Sequence, residues 1–203
     1  MKIAVVGASG SVGSRIVSEA LARGHRVTGV ARIPAKIAPR ENLTIAAGDI
    51  GRPETLAGTL AHHDVVVSAV RFLSYEIDQL IEALELAGKP RLVMVGGAGS
   101  LITAAGGLLV DAPNFPEAAK AEARAGAEKL VALRKQTEVD WTFLSPSALF
   151  TPGERTGGYR VGTDHLLTGA DGKSRISQED YAIAIIDEIE APRHRRERFT
   201  VGY

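Results

Sequence analysis

Short apolar runs alternate along the whole chain with stretches whose apolar positions recur every three or four residues. Lys2-Ile3-Ala4-Val5-Val6 opens the series as a strand. Val12, Ile16, Val17, Ala20 and Leu21 then fall on one helical face, which Gly24 after Arg23 would stop. Residues 26–31 and 43–47 read as further strands, and a helix follows from about Pro53, a residue suited to a first helical turn. Residues 64–69 have the continuous apolar core of a parallel strand covered on both faces. From about Tyr75 the pattern is helical again, with Ile77, Leu80, Ile81 and Leu84 on one stripe ended by Gly88 and Pro90. The remainder reads as a strand over 91–95, an alanine-rich helix over 117–135, a strand over 141–144, a helix over 177–190 and a strand over 198–201. A Ser177/Asp180 pair would cap the last helix. Strands alternating with helices predict one α/β domain, residues 1–203, built on a doubly wound parallel sheet.

In such sheets ligands lie outside the C-terminal strand ends. Here those ends are Gly7 to Gly13, Arg32, Gly48-Asp49-Ile50, Ala69-Val70-Arg71, Gly96 to Ser100, and Ser145 to Ala148. They are scattered in sequence and expected to converge in space. Two connections, 96–116 and 147–173, are too long for simple turns and are expected to form the substrate pocket.

Gly7-Ala8-Ser9-Gly10-Ser11-Val12-Gly13 joins the first strand to the first helix. Glycines let the backbone turn tightly and approach a diphosphate, and a helix N-terminus offers unpaired N–H groups and a positive dipole end. The spacing is G-x-x-G-x-x-G rather than the commoner G-x-G-x-x-G, and an ordinary glycine-rich turn is the plain alternative. With this motif the sheet is of Rossmann type. An acidic residue at the end of the second strand would hold the ribose diol of NAD. That place carries Arg32, with Lys36 and Arg40 nearby and no acid before Glu41. A guanidinium suits a 2′-phosphate, so NADP is expected over NAD, although a solvated loop arginine would also fit.

Composition narrows the alternatives. The 203 residues include 24 basic and 24 acidic ones, so no global field recruits nucleic acid or an anionic membrane. The basic run Arg193-His194-Arg195-Arg196-Glu197-Arg198 reads as a solvated connection before the last strand. With no cysteine, disulfides, zinc–thiolate sites and thiol nucleophiles are excluded. The histidines lack metal-ligand spacing, and His62 and His63 fit a helix C-terminus better, so no metal site is expected. No stretch approaches a membrane span, and Met1 leads directly into a strand, making a cytoplasmic location the expectation.

The chain resembles atypical short-chain dehydrogenase/reductases of the NAD(P)H-binding group that includes NADH-flavin reductases and the biliverdin/flavin-reductase type. The likeness runs from end to end and rests on the glycine motif, Gly48-Asp49-Ile50, Val93-Met94-Val95-Gly96-Gly97-Ala98-Gly99-Ser100-Leu101, Trp141-Thr142-Phe143-Leu144-Ser145-Pro146 and Arg175-Ile176-Ser177-Gln178-Glu179-Asp180-Tyr181-Ala182. It implies that Asp49 and Ile50 contact the adenine and that Ala69, Val70 and Arg71 line the cofactor ribose. With Gly7, Ser9, Gly10, Ser11, Val12, Gly13, Arg32, Gly96 and Pro146, these form the expected cofactor set. Most alcohol-oxidising members of the wider superfamily carry a Tyr-x-x-x-Lys pair. None of Tyr75, Tyr159, Tyr181 and Tyr203 has a lysine four residues on, which disfavours carbonyl reduction and sugar epimerisation.

Hydride transfer to a flavin- or quinone-like ring needs less from the protein, because the acceptor delocalises the arriving charge. The expected function is therefore an NADPH-dependent reductase of such a small-molecule acceptor, acting as monomer or homodimer. Ser100 and Lys120 are candidate donors of a hydrogen bond to the acceptor. The alternative is a non-catalytic NADP-binding redox sensor, motivated by the same missing pair.

Overall fold

The computed structural model describes all residues, 1–203. Its strands are β1 (Lys2–Val6), β2 (Arg26–Ala31), β3 (Leu43–Ala47), β4 (Val65–Ser68), β5 (Arg91–Val95), β6 (Trp141–Ser145), β7 (Leu149–Thr151), β8 (Arg160–Gly162), β9 (Arg175–Ser177) and β10 (Glu197–Gly202). Its α-helices are α1 (Ser11–Ala22), α2 (Pro53–Leu60), α3 (Ile77–Leu86), α4 (Glu117–Lys135) and α5 (Gln178–Glu190). One eight-stranded sheet runs β3-β2-β1-β4-β5-β6-β10-β8. All its pairs are parallel except the edge pair β10–β8. Strand order reverses between β1 and β4, the topological switch where such sheets open a crevice at their C-terminal ends.

The two-residue side-chain period of the strands divides the core in two. Ile3 and Val5, with Val65, Val67 and Val93, face α1 and α5, while Ala4, Val6, Val66, Leu92 and Met94 face the layer of α2, α3 and α4. Helix α5 is buried nearly all round, packed beside α1 on the same face of the sheet. The helix signals act where the sequence places them. Gly24 follows α1 at φ +78, and Glu76 and Gln79 form a capping box on α3. Ser177 Oγ accepts from Asp180 N at 3.0 Å. His63 caps α2 through Nδ1 at 3.1 Å from the Leu60 carbonyl, its Nε2 lying 2.8 Å from Thr28 Oγ1.

Three departures matter. The antiparallel edge strand β8 and the small parallel pair β7–β9 are three-residue elements without a readable period. The helix expected from Tyr75 begins at Ile77, after a single 3-10 turn over Phe72–Ser74. The basic run 193–198 is largely solvent-exposed as far as Glu197, as expected, but it is also pinned to its neighbours. Arg195 pairs with Asp140, Arg196 donates to the Thr137 carbonyl at 2.6 Å, and His194 Nδ1 lies 2.8 Å from Glu188. Arg198 sits inside β10, buried, against Asp164.

Asp180 ties the connection after β7 to α5. It is fully buried and accepts from Thr156 Oγ1 at 2.5 Å, Gly157 N at 2.9 Å and Tyr203 Oη at 2.7 Å. Burial alone would raise its pKa, but the bonds from Thr156, Gly157 and Tyr203 outweigh burial and hold it below the ordinary 3.8. A depressed folded pKa means stability that is present above pH 3.8 and lost as pH falls through the folded value. Asp180→Asn is expected to cost about 1–3 kcal/mol at pH 7 and to flatten the fall in stability below about pH 4. Urea midpoints measured from pH 7 to 3 would check both effects.

Candidate functional site

The turn after β1 is built on close backbone approach. Gly7 has φ +89, and a Cβ there would lie 2.5 Å from the Ala69 carbonyl oxygen. A Cβ on Gly13 would lie 2.2 Å from the Gly7 carbonyl oxygen. Gly10 is the N-cap of α1, at φ −78 and ψ 167, and supplies no capping side chain. The first turn carries no acidic residue, and no protein oxygen accepts from the N–H groups of Ser11, Val12 and Gly13. Three free N–H groups at a positive dipole end, reached over glycine, fit a diphosphate. Ser11 Oγ itself donates to Gln178 Oε1 at 2.6 Å, which joins the N-termini of α1 and α5.

A cleft opens beside this turn at the β1/β4 switch. Gly7, Ser9 and Gly10 line it together with Arg32, Asp49, Ile50, Ala69 and Val70. Four segments scattered in sequence thus meet at one place. Ser74 and Tyr75 also line it and lie outside the expected set. Their signal was available only as the apolar start of a helix. Asp49 Oδ1 accepts from Gly51 N at 3.0 Å, which shapes the local turn. Arg32 is exposed and forms no ion pair or hydrogen bond within the protein, whereas Arg40 donates to Ser18 Oγ at 2.7 Å and Lys36 lies outside the lining. Arg71 turns out of the cleft, its Nη2 3.5 Å from Glu122 Oε2.

A second cleft of about 560 Å³ adjoins the ends of β5 and β6. Gly96 to Gly99 and Pro146 to Phe150 line it, facing Phe72, Leu109, Phe115 and, on α4, Ala119, Glu122 and Ala123. Gly96 and Pro146 therefore belong to this cleft and not to the first. Bare backbone is required here. A Cβ on Gly96 would lie 2.4 Å from the Phe143 ring, and one on Gly99 would lie 2.8 Å from Ala123 Cβ. The 3-10 turn Phe72–Ser74 separates the clefts. Its Phe72 and Leu73 N–H groups donate to Glu122 at 2.7 and 3.4 Å, and the Phe72 ring stacks on Phe143 at 6.3 Å.

The long connections meet each other as well as the cleft. Ile102 N donates to the Asp164 carbonyl at 2.8 Å, and Leu166 N to the Ile102 carbonyl at 2.9 Å. Of 147–173, only the first four residues line the cleft. Ser100 and Lys120 fall outside the lining. Ser100 Oγ is 3.5 Å from Arg198 Nη1, and Lys120 Nζ pairs with Glu117 at 2.6 Å. Burial pulls the pKa of Arg198 down, against the opposing pull of Asp164.

No tyrosine lines the apolar cleft. Tyr159 donates to Asp187, Tyr181 to the Leu144 carbonyl at 2.5 Å, and Tyr203 to Asp180. Tyr75 is buried with its hydroxyl unpartnered, and Lys129 Nζ lies 4.7 Å above its ring centre rather than beside its oxygen. Burial raises the pKa of Tyr75, Tyr159 and Tyr181. A Tyr/Lys proton exchanger is therefore absent from the cleft in space as well as in sequence.

Residues 7–192 match the family described as NAD(P)H-binding. The chain belongs to this family. It is 41% identical over 211 residues to the protein YwnB of Bacillus subtilis, covering 99% of this chain and 98% of that one. A solved structure from Bacteroides thetaiotaomicron, provisionally named an epimerase, superposes with a TM-score of 0.92 at 41% identity, covering 100% of this chain and 96% of that one. Another from Streptococcus pneumoniae, provisionally named an NADH-flavin reductase, gives 0.84 at 36% identity, covering 100% and 99%. The family is described as NAD(P)H-binding, and the free amides and glycine contacts of the turn after β1 fit the diphosphate of such a nucleotide. No helix is long and apolar enough to cross a membrane.

Gly13→Ala is expected to weaken NAD(P) binding roughly a hundredfold, about 3 kcal/mol, because the new Cβ forces α1 off the turn. Gly58 stands on the exposed face of α2 with nothing within 4 Å of a Cβ. Gly58→Ala should leave binding unchanged and stabilise the fold by about 1 kcal/mol. Calorimetric titration and thermal melts of both variants would check this.

Proposed function

We propose that this protein is an NADPH-dependent reductase of a flavin-, quinone- or similar conjugated small-molecule acceptor. The observation that carries the reading is the pairing of two clefts: an anion-binding turn at the β1/β4 switch, and beside it an apolar cleft without a proton-exchanging tyrosine. When bound, NADPH would supply a hydride to the acceptor, which takes its balancing proton from water, leaving NADP⁺ and the two-electron-reduced ring. The chain's own part is to hold and to exclude. The N–H groups at the start of α1 hold the diphosphate, and Ala69 and Val70 pack against the cofactor. The walls formed by Phe72, Phe115 and Phe150 shed water and accept a flat ring face. A cavity of several hundred Å³ with mainly apolar walls is the usual form of a small-molecule site. Placing two rings face to face supplies much of the acceleration when the acceptor carries its own electron sink.

The relative provisionally named an NADH-flavin reductase supports this chemistry. The one provisionally named an epimerase does not add a second reading, since the Tyr/Lys pair that epimerisation of this kind uses is missing from the cleft. The preference for NADPH over NADH rests on Arg32, whose guanidinium stands at the end of β2, exposed and uncommitted, where a 2′-phosphate would lie.

Purified protein is expected to oxidise NADPH only when a flavin or quinone is added. Cofactor binding without turnover across a broad acceptor panel would refute the reductase and support an NADP-responsive regulator. Arg32→Ala should weaken NADPH binding by about 10- to 100-fold, the worth of one or two charge-assisted bonds, and leave NADH binding within about twofold. Equal losses for both nucleotides would remove the assignment of Arg32 to the 2′-phosphate.

A further inference from the structure

Every basic side chain around the apolar cleft is already committed to a carboxylate. Lys120 pairs with Glu117 at 2.6 Å, Arg124 with Asp111 at 3.0 Å, and Arg71 with Glu122 at 3.5 Å. Arg198, the cation behind Ser100, is buried and held by Asp164. The lining itself contains one ionisable group, Glu122, a carboxylate set among phenylalanine, alanine, glycine and proline. Its side chain is a quarter exposed, while that of its partner Arg71 is 79% exposed and lies outside the lining.

From this arrangement we propose that the cleft selects uncharged planar rings and rejects rings that carry an anionic substituent. The proposal rests on the reductase reading and names the substrate class of the same site. An anion on the ring would enter an apolar, water-poor space beside Glu122, where like-charge repulsion is weakly screened. No free cation is present to compensate, so a sulfonate or carboxylate would have to break a rim ion pair or remain solvated outside. A neutral quinone or the isoalloxazine ring itself meets no such penalty, because its carbonyls need only hydrogen bonds. A phosphate on a long flexible tail can stay in bulk water. The discrimination therefore concerns charge on the ring system and not charge on a tail.

The test uses two naphthoquinones of similar ring size, the neutral 2-methyl-1,4-naphthoquinone and the anionic 1,4-naphthoquinone-2-sulfonate. Binding of each to the full-length protein loaded with NADP⁺ is measured by titration, and reduction of each is followed separately with NADPH. The neutral ring is expected to bind at least about tenfold more tightly, a modest share of what a like charge nearby costs at low dielectric. Glu122→Gln, which keeps an oxygen for the Phe72 and Leu73 N–H groups, should shrink that preference by about threefold or more. Because this side chain also supports the 3-10 turn, a second variant guards the test. Glu117 is 86% exposed and outside the lining, so Glu117→Gln frees Lys120 without touching the cleft wall. It should raise affinity for the sulfonate several-fold and leave the neutral ring unchanged.

Equal binding of the two rings by the unmodified protein, or a preference that neither variant alters, would overturn the proposal. Selective binding of the neutral ring with no reduction would refute the reductase and leave the selectivity standing. If neither ring binds, both readings fall.

Discussion

The close approach of three backbone segments at the end of β1 governs the functional half of this molecule. The Gly7 carbonyl lies where a Cβ on residue 13 would stand, and the Ala69 carbonyl where a Cβ on residue 7 would stand. Only hydrogen at both positions lets the β1 turn, the first turn of α1 and the end of β4 occupy one small volume. That contact points the uncapped N-terminus of α1 at the mouth of the sheet. The crevice beside it follows from strand order, because the chain leaves β1 toward β2 on one side and β4 on the other. Packing at two glycine-dependent contacts thus becomes an electrostatic property, a cluster of free amides at a positive dipole end.

The second cleft obeys the same steric logic with different partners. The alanine-rich composition of α4 has a direct use. Ala119 and Ala123 face the cleft, and Gly126 receives the edge of the Phe72 ring, where a Cβ would lie 2.7 Å from the ring. Larger residues at these positions would fill the cleft or eject the phenylalanine. Phe72 belongs to the segment that also supplies Val70, Ser74 and Tyr75 to the first cleft, so one stretch of chain walls both. Glu122 fixes that stretch by accepting two of its backbone N–H groups.

The far side of the sheet is held by a different kind of interaction. Buried Arg91 donates to buried Glu188 at 2.6 Å, and Glu188 also accepts from His194 and the Arg193 and His194 amides. Burial raises the pKa of Glu188, but the bonds from His194 and Arg91 outweigh burial and hold it below its ordinary value. Removing one partner from such a set leaves an uncompensated buried charge. This set and the Asp180 set anchor α5 at opposite ends, which keeps Ser177 to Tyr181 in register beside the start of α1.

Periodicity by itself determined most of the sheet and helices, because strands buried on both faces and amphipathic helices are the strongest local signals a chain carries. β1, β2, β3 and β5 and helix α4 stand where the apolar pattern sets them. The glycine turn, Arg32, Asp49 and Ile50 were legible for a related reason: fold topology alone sends strand ends to one place. Tertiary structure decided what local pattern cannot encode. β7, β8 and β9 exist only through their partners. The 193–198 run reads as solvated charge, and most of it is exposed, but its pairing with Asp140, Asp164 and Glu188, distant in sequence, is set by the fold. The division of the expected site residues between two clefts, the turning of Arg71 toward Glu122, and the commitment of Ser100 and Lys120 to neighbours all depend on side-chain pairs across the fold. Such pairs leave no periodic trace in the chain, since each is set by where two separate elements happen to pack.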